Sequence, residues 1–427
     1  MFMSGSSSNY SSATFSSAFA RRPRTASRVK RWLASLPLIA VAAFTFDGPI
    51  SAGTSSDMPV EQPVAQQESR WSVDDARTLI GLIEDSAQEG LTPSDYRLAE
   101  LRYAVDVGNR GAPFDALATA AALGLAHDYA DGRIDDKQAL DWHMTQPIDT
   151  DVIARGLRDA LDRDNLASWM RGLLPGNAQY SALKAAYAAS DPSDAAIREQ
   201  LRANLERWRW MPRDLGERYI YVNVPSYRLA LMNGGSEEAS FNVVVGAPKT
   251  PTPQLALHAQ SVIANPSWTL PPSVLKEGRW QGKGYSVSRR SDGSLSVRQA
   301  PGPRNALGRI KIDMPNAHAI YLHDTPQKAA FERTNRALSH GCVRVQNIQE
   351  LAALLHGGAE LDDALADPAK TKVLQLEKSV PVYIVYFTAE AQPDGTIRYL
   401  GDPYQRDQAL LAQITRPGAN AVRMAAR

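Results

Sequence analysis

Two periodicities divide the chain: from Trp71 to about Met211 apolar residues recur at helical spacing, and from Tyr219 onward they alternate with polar ones. Val73, Ala76, Leu79, Ile80 and Ile83 fall on one face of a helix that Ser72 caps and Gly90 ends. Thr92-Pro93 starts another, with proline in the first helical position, where its missing N–H costs nothing. The alanine-rich stretch Phe114 to Ala130 is a third, closed by Gly132. Ile197, Leu201, Leu205 and Trp208 mark a later helix that Met211-Pro212 stops.

Beyond Pro212, Tyr219, Tyr221 and Asn223 face one way and Ile220, Val222 and Val224 the other. The runs Tyr227 to Met232 and Ala239 to Val245 flank Asn233-Gly234-Gly235, a hairpin signal. Further strands are expected at Gln260 to Ala264, Ser294 to Gln299, Ala317 to His323, Val343 to Val345 and Val380 to Phe387. The last returns through Pro393-Asp394-Gly395 to Thr396 to Leu400. The fold class is therefore multidomain α and β, a helical domain followed by a mainly-β one whose site belongs on a sheet rim.

A chain of 427 residues exceeds one ordinary core, which suits two folded units. Lys and Arg number 47 against 46 Asp and Glu, a balance that excludes the basic footprint of a nucleic-acid binder. Near the start, Arg21, Arg22, Arg24, Arg28, Lys30 and Arg31 precede the apolar run Trp32 to Phe46. Gly48-Pro49 and the small residues Ser51, Ala52 and Gly53 follow. Residues 1–52 read as an export signal, an uncleaved signal anchor being the alternative. Either places the folded part outside the cytoplasm, in the periplasm, with membrane contact only if the signal stays. Residues 53–70 are a linker, 71–211 the helical domain, 217–406 the β domain and 407–427 a tail. Gly278, Gly282, Gly284, Gly293 and four arginines make about 271–303 a flap, and Gly282-Lys283-Gly284 lacks the spacing of a phosphate loop.

Cys342 is the sole cysteine, so no internal disulfide exists, and a lone exported thiol is either an inert core residue or a reagent. Its surroundings favour the second: Tyr321-Leu322-His323-Asp324 lies upstream and Ser339-His340-Gly341-Cys342-Val343-Arg344 around it. A thiol is only slightly ionised at neutral pH and needs an imidazole to take its proton. In a strand ending at His323, that ring shares a face with Tyr321 while His318 points away, so His323 is the expected base. His340 and Ser339 are expected to shape the turn, although His340 could also face the sulfur. Gly341 permits a tight turn whose amides form an oxyanion hole. Arg344 shares a face with Cys342 and either binds a substrate carboxylate or braces the loop. Asn347 and Glu350 look like a capping pair for a helix carrying Ile348, Leu351, Leu354 and Leu355 and ended by Gly357-Gly358. His318, His323, Asp324, His340 and Cys342 lack zinc-ligand spacing, and His127 and His143 have no ligand company, so no metal is expected.

Taken together, these residues resemble the L,D-transpeptidase catalytic domain, or YkuD family: His323, then Ser339-His340-Gly341-Cys342 and Arg344. Tyr221 to Gly246, Pro248-Lys249-Thr250-Pro251, Asn265-Pro266-Ser267-Trp268, Pro301-Gly302-Pro303 and Asn305-Ala306-Leu307-Gly308 look like its larger YcbB-type branch, whose scaffold domain resembles the helical half. The likeness implies a peptidoglycan enzyme without a cofactor. Cys342, deprotonated by His323, would attack the third-position diaminopimelate carbonyl of a stem tetrapeptide, with the Gly341 and Cys342 amides holding the oxyanion and D-alanine leaving. A neighbouring stem's diaminopimelate amine would resolve the thioester into a crosslink between two third residues. A backbone carbonyl would orient the imidazole, with the Asp324 side chain off the other face. Carbapenems would acylate Cys342. Relatives carry a small peptidoglycan-binding module for which Leu183 to Met211 leaves no room, so Trp268, Trp280 and Tyr285 with Tyr321 are expected to line the substrate groove, or else to cover the flap's underside. L,D-carboxypeptidase action, anchoring of lipoproteins to the wall, and a non-catalytic wall scaffold are the alternatives.

Overall fold

A computed structural model describes residues 70–144, 148–278, 280 and 284–415. The expected signal at 1–52, all but Arg70 of the linker 53–70, the Gly282-Lys283 string and residues 416–427 lie outside them. Among the described residues no helix is long and apolar enough to cross a membrane.

Among the described residues seven α-helices form the first half: α1 (Val73–Asp85), α2 (Leu98–Asp106), α3 (Ala112–Asp131), α4 (Thr150–Asp162), α5 (Leu166–Gly172), α6 (Ala178–Ala189) and α7 (Ala195–Trp210). Ser72 caps α1 by accepting from the Asp75 N–H at 3.0 Å, and Gly132 ends α3 with φ +76°. Thr92-Pro93 departs from expectation: it opens only a 3₁₀ turn, Pro93–Tyr96, and the α-helix begins after Arg97, whose φ is +57°. Buried Tyr96 explains the interruption, its hydroxyl donating to Asp128 of α3 at 2.7 Å, so that tertiary anchoring overrides the start signal.

The second half begins with β1 (Arg218–Asn223), β2 (Arg228–Asn233), β3 (Ser236–Gly246) and β4 (Leu255–Ala264). The flap holds β5 (Trp268–Thr269), α8 (Pro272–Lys276), β6 (Tyr285–Arg289) and β7 (Leu295–Gln299), whose strands form a separate sheet in the order β5-β7-β6. Then come β8 (Ile310–Asp313), β9 (Leu322–His323), β10 (Ala337–Ser339), β11 (Val343–Val345), α9 (Ile348–His356), α10 (Gly358–Leu365), β12 (Lys372–Val385), β13 (Ala389–Ala391), β14 (Ile397–Tyr399) and α11 (Arg406–Ile414). The main sheet runs β10-β3-β11-β9-β8-β4-β12-β1-β2, and β2 pairs also with β3, which closes it on itself. Ile220, Val222, Val243, Val262, Ile312 and Val343 share one core with Ile348 and Leu351 of α9 and Leu361 of α10. The other face of β1 and β12 packs against α7: Leu201, Leu205 and Trp208 meet Tyr383, Val385 and Phe387, and Leu410 and Ile414 of α11 complete that cluster.

Three local expectations are corrected here. The strand expected at Ala317 to His323 shrinks to Leu322–His323, because Asn316 folds the preceding residues into a loop. Its carboxamide oxygen accepts from the N–H of His318 at 3.0 Å and of Ile320 at 3.2 Å, its nitrogen donates to the Ile320 carbonyl at 2.8 Å, and Ala319 sits at φ +52°. Asn347 and Glu350 form no capping box. Asn347 is left-handed at φ +50° and offers its backbone carbonyl, not its side chain, to Glu350 N–H at 2.9 Å, since the chain must turn sharply out of β11. The strand after Pro393 pairs with the short β13 instead of the long β12. Gly357 does end α9, but α10 starts at once with Gly358.

Candidate active site

His323 ends β9, and β9 lies parallel to β11 with Leu322 beside Val343 and His323 beside Arg344. Alternation then puts Tyr321, His323, Cys342 and Arg344 on one face, Cys342 flanking Tyr321 and diagonal to His323. The imidazole is buried, 5% exposed, and its Nδ1 donates to the Asp324 carbonyl at 2.5 Å. A neutral ring so bonded keeps its proton on Nδ1 and presents Nε2 as the basic nitrogen. The Asp324 carboxylate faces elsewhere, accepting from Arg309 N–H at 2.9 Å and pairing with Lys328, so only its backbone orients the ring.

Burial pushes the His323 pKa down to about 3, helped by the Arg344 and Lys311 charges and opposed by Asp324. Burial likewise raises the Cys342 thiol above its ordinary value, against hydrogen bonds from Tyr321 and the positive charges of Lys311 and Arg344. The half-buried thiol donates to the Ala319 carbonyl at 3.5 Å, the carbonyl that the Asn316 loop turns toward it. Both groups therefore rest uncharged, a thiol and a neutral imidazole on neighbouring strands.

The turn before Cys342 is held from within. Gly341 has φ +113°, a conformation costly for a residue with a Cβ. Its N–H donates to Ser339 Oγ at 3.1 Å, and its carbonyl accepts from Thr252 Oγ1 at 2.7 Å. Ser339 Oγ in turn donates to the Cys342 carbonyl at 2.6 Å. The expectation that the Gly341 amide serves an oxyanion hole is thus corrected: the positive φ turns that N–H inward onto Ser339. Among the described residues nothing accepts from the Cys342 N–H, which leaves it as the available donor.

Around the sulfur, Tyr321 has its phenol held protonated well beyond the usual range by burial and by Cys342. Its ring meets that of His323 edge-on at 5.5 Å, and Lys311 Nζ lies 4.5 Å from its centroid. Trp268 comes close to the same phenol, its indole N–H buried with no partner at hydrogen-bonding distance. Trp280 and Tyr285 are not gathered here. The Trp280 indole donates within the flap to the Leu275 carbonyl at 2.9 Å, and Tyr285 sits in β6; among the described residues neither makes a hydrogen bond, ion pair or ring contact with the sulfur or the imidazole. His340 reaches across to the flap, its Nε2 lying 2.6 Å from Glu277 Oε1. Arg344 donates through Nη1 to Gln327 at 3.0 Å, while among the described residues its buried Nε has no partner and no carboxylate pairs with it. Among the described residues no group of three metal-ligand side chains converges.

Lys311, Ala319, Gln327 and Thr252 escaped the sequence reading. Only Asn316, two residues before His318, carried a legible loop signal; Lys311 reaches the site through the pairing of β8 with β9, and Thr252, Ala319 and Gln327 through hydrogen bonds that no local pattern announces.

Comparison with known proteins gives two family matches: the L,D-transpeptidase catalytic domain over residues 217–384 and the scaffold domain over 65–186. A Haemophilus influenzae protein named "Putative L,D-transpeptidase" is 30% identical over 316 residues, 65% of this chain and 64% of that protein. The chain thus spans somewhat under two thirds of that relative's length. Among solved structures, the catalytic domain of the E. faecium L,D-transpeptidase acylated by ertapenem shares 14% identity, covering 40% of this chain and 99% of that one at a TM-score of 0.23. Mycobacterium tuberculosis L,D-transpeptidase 1 shares 15%, covering 40% and 61% at 0.21. At such scores these two likenesses decide nothing about activity.

Proposed function

We propose that this chain, which matches the L,D-transpeptidase catalytic domain at 217–384 and the scaffold domain at 65–186, crosslinks peptidoglycan stems through a thioester on Cys342. The observation that carries the reading is the pairing of β9 with β11, which sets a partly exposed thiol and an imidazole with a free Nε2 on one face of adjacent strands.

In this mechanism His323 Nε2 takes the thiol proton as the sulfur attacks the third-position diaminopimelate carbonyl of a stem tetrapeptide. The Cys342 N–H stabilises the oxyanion. Collapse of the adduct breaks the amide bond, and His323 returns its proton to the departing D-alanine amine. The side-chain amine of a second stem's diaminopimelate then attacks the thioester, passing its proton through His323 to the sulfur. One amide replaces another, so no cofactor and no ATP enters. A desolvated Arg344 whose side chain hydrogen-bonds, among the described residues, to Gln327 and to no carboxylate suits a carboxylate of the stem peptide, which favours recognition over loop bracing. Carbapenems, as acyl donors, would modify the same sulfur. An exported, periplasmic location follows from the basic and apolar residues of 1–52.

Incubation with disaccharide-tetrapeptide, read by mass spectrometry, tests the reaction: crosslinked dimer is expected from the wild type and none from Cys342→Ala. Tripeptide without dimer would instead assign an L,D-carboxypeptidase, and transfer only to a lipoprotein amine an anchoring enzyme. A carbapenem adduct on both the wild type and Cys342→Ser would overturn the nucleophile.

A further inference from the structure

Beside β1 and β2 lies a cavity of about 690 Å³ that none of the catalytic side chains lines. It is enclosed by the start of α6, by Trp208 of α7, by the outward face of β1 and β2, and by the β13–β14 hairpin. Its size falls in the range of small-molecule sites, about 300–1,000 Å³. In the closed sheet, β1 stands four pairings away from β9, so the two sites are built on different strands.

The lining has a definite chemistry. Tyr219 and Tyr221, alternate residues of β1, present two rings on one face, about 7 Å apart along the strand. Neither phenol hydrogen-bonds to another described residue, and burial raises the pKa of both, so each is an uncharged hydroxyl available to a ligand. Charged groups at the wall neutralise one another: Arg398 meets Glu390 at 2.7 Å and Arg228 meets Glu237 at 2.5 Å. A pocket with aromatic faces, unbonded hydroxyls and balanced charge selects against an ionic ligand. It suits a neutral polyhydroxylated ring, whose apolar face lies on an aromatic while its hydroxyls and amides bond at the edge.

We propose that this cavity binds the uncharged glycan portion of peptidoglycan, holding the sugar chain on strands other than those of the thiol and the imidazole. The inference rests on the wall-substrate reading above and adds a second, non-catalytic point of attachment. Two weak sites on one rigid body raise the local concentration of the stem peptide at Cys342 without any new catalytic contact.

The test uses the full chain and chitotetraose, a neutral N-acetylglucosamine tetramer, with binding followed by calorimetry. Ala182→Trp, which fills the cavity from α6, and the paired Tyr219→Phe and Tyr221→Phe changes, which remove only the hydroxyls, are compared with the wild type. A tenfold or greater loss of affinity in both is expected, with carbapenem acylation of Cys342 unchanged. Affinity within twofold of wild type in both variants, with each still melting cooperatively, would overturn the proposal, as would no binding to the wild type. Acylation separates the two ideas: glycan binding without acylation sinks the catalytic reading alone, and acylation without glycan binding sinks only the cavity.

Discussion

Cys342 and His323 rest as a neutral pair because burial works on them in opposite directions, raising the acid and weakening the base. A thiolate–imidazolium pair would react with alkylating agents at nearly constant rate from acid to neutral pH. Here iodoacetamide labelling of Cys342 should climb steadily with pH through a thiol pKa above the ordinary one, with no acid plateau; a plateau below pH 6 would contradict the neutral pair. The same shift has a consequence for stability. An unfolded histidine takes a proton near pH ~6.5, whereas folded His323 resists until about 3. The folded state is therefore penalised as pH falls from about 6.5 toward 3, and the stabilisation is fully present above that window. His323→Asn, which keeps a donor toward Asp324, should flatten the acid-side fall in Tm between pH 6 and 4. Ser339→Ala strips the acceptor from the buried Gly341 N–H and the donor from the Cys342 carbonyl, so a loss of about 1–3 kcal/mol is expected by denaturant titration.

At the scale of elements, the site is a product of short pieces held at their ends. Strands β9, β10 and β11 contain two or three residues each, too few to be stable without the long β3, β4 and β12 around them. What the short strands lack, loops supply: Asn316 alone makes four bonds to the backbone of the segment that offers Ala319 to the thiol. Asn316→Ala should cost about 2–3 kcal/mol, at roughly 1 kcal/mol for each of the better bonds, and should lower acylation rate more than it lowers Tm. Equal activity with unchanged Tm would show the loop to be held by other means. Gly308 is a second fixed point, with φ +63° and the Asp324 side chain packed where a Cβ would sit. The hairpin at Asn233-Gly234-Gly235 was legible because its turn chemistry is local, with Gly234 and Gly235 both at positive φ. The strand at Ala317 was not, because a single side chain's bonds outweighed an alternating pattern.

Across the whole molecule the two halves share hydrophobic surface. Trp208 of α7 stacks on Phe387 at 4.7 Å between centroids, and Asn204 exchanges bonds of 2.8 Å with both the N–H and the hydroxyl of Thr388. Helix α11 returns to the helical half, where Asp407 meets Arg207 at 2.6 Å. His143 from the helical half lies against His318 at 4.4 Å, within one residue of the carbonyl that holds the thiol. Thermal unfolding should therefore be one transition, and Asn204→Leu, which orphans the buried Thr388 N–H, should move its midpoint down by about 2–4 °C while keeping it single. Two resolved transitions would mean that the halves melt independently.

The amino-acid sequence by itself determined the change from helical to alternating period and the hairpin, and it singled out Cys342 and His323 as the candidate pair, because each of these is encoded within a few residues. The tertiary structure alone decided that the Gly341 amide is engaged by Ser339, that Lys311 borders the site, and that α7 and α11 seal the second half against the first. The last two, like the Thr252 bond that holds the Gly341 carbonyl, depend on contacts between residues tens to hundreds of positions apart. Such contacts are selected by packing and by the register of a closed sheet, and no local pattern of polar and apolar positions carries that information.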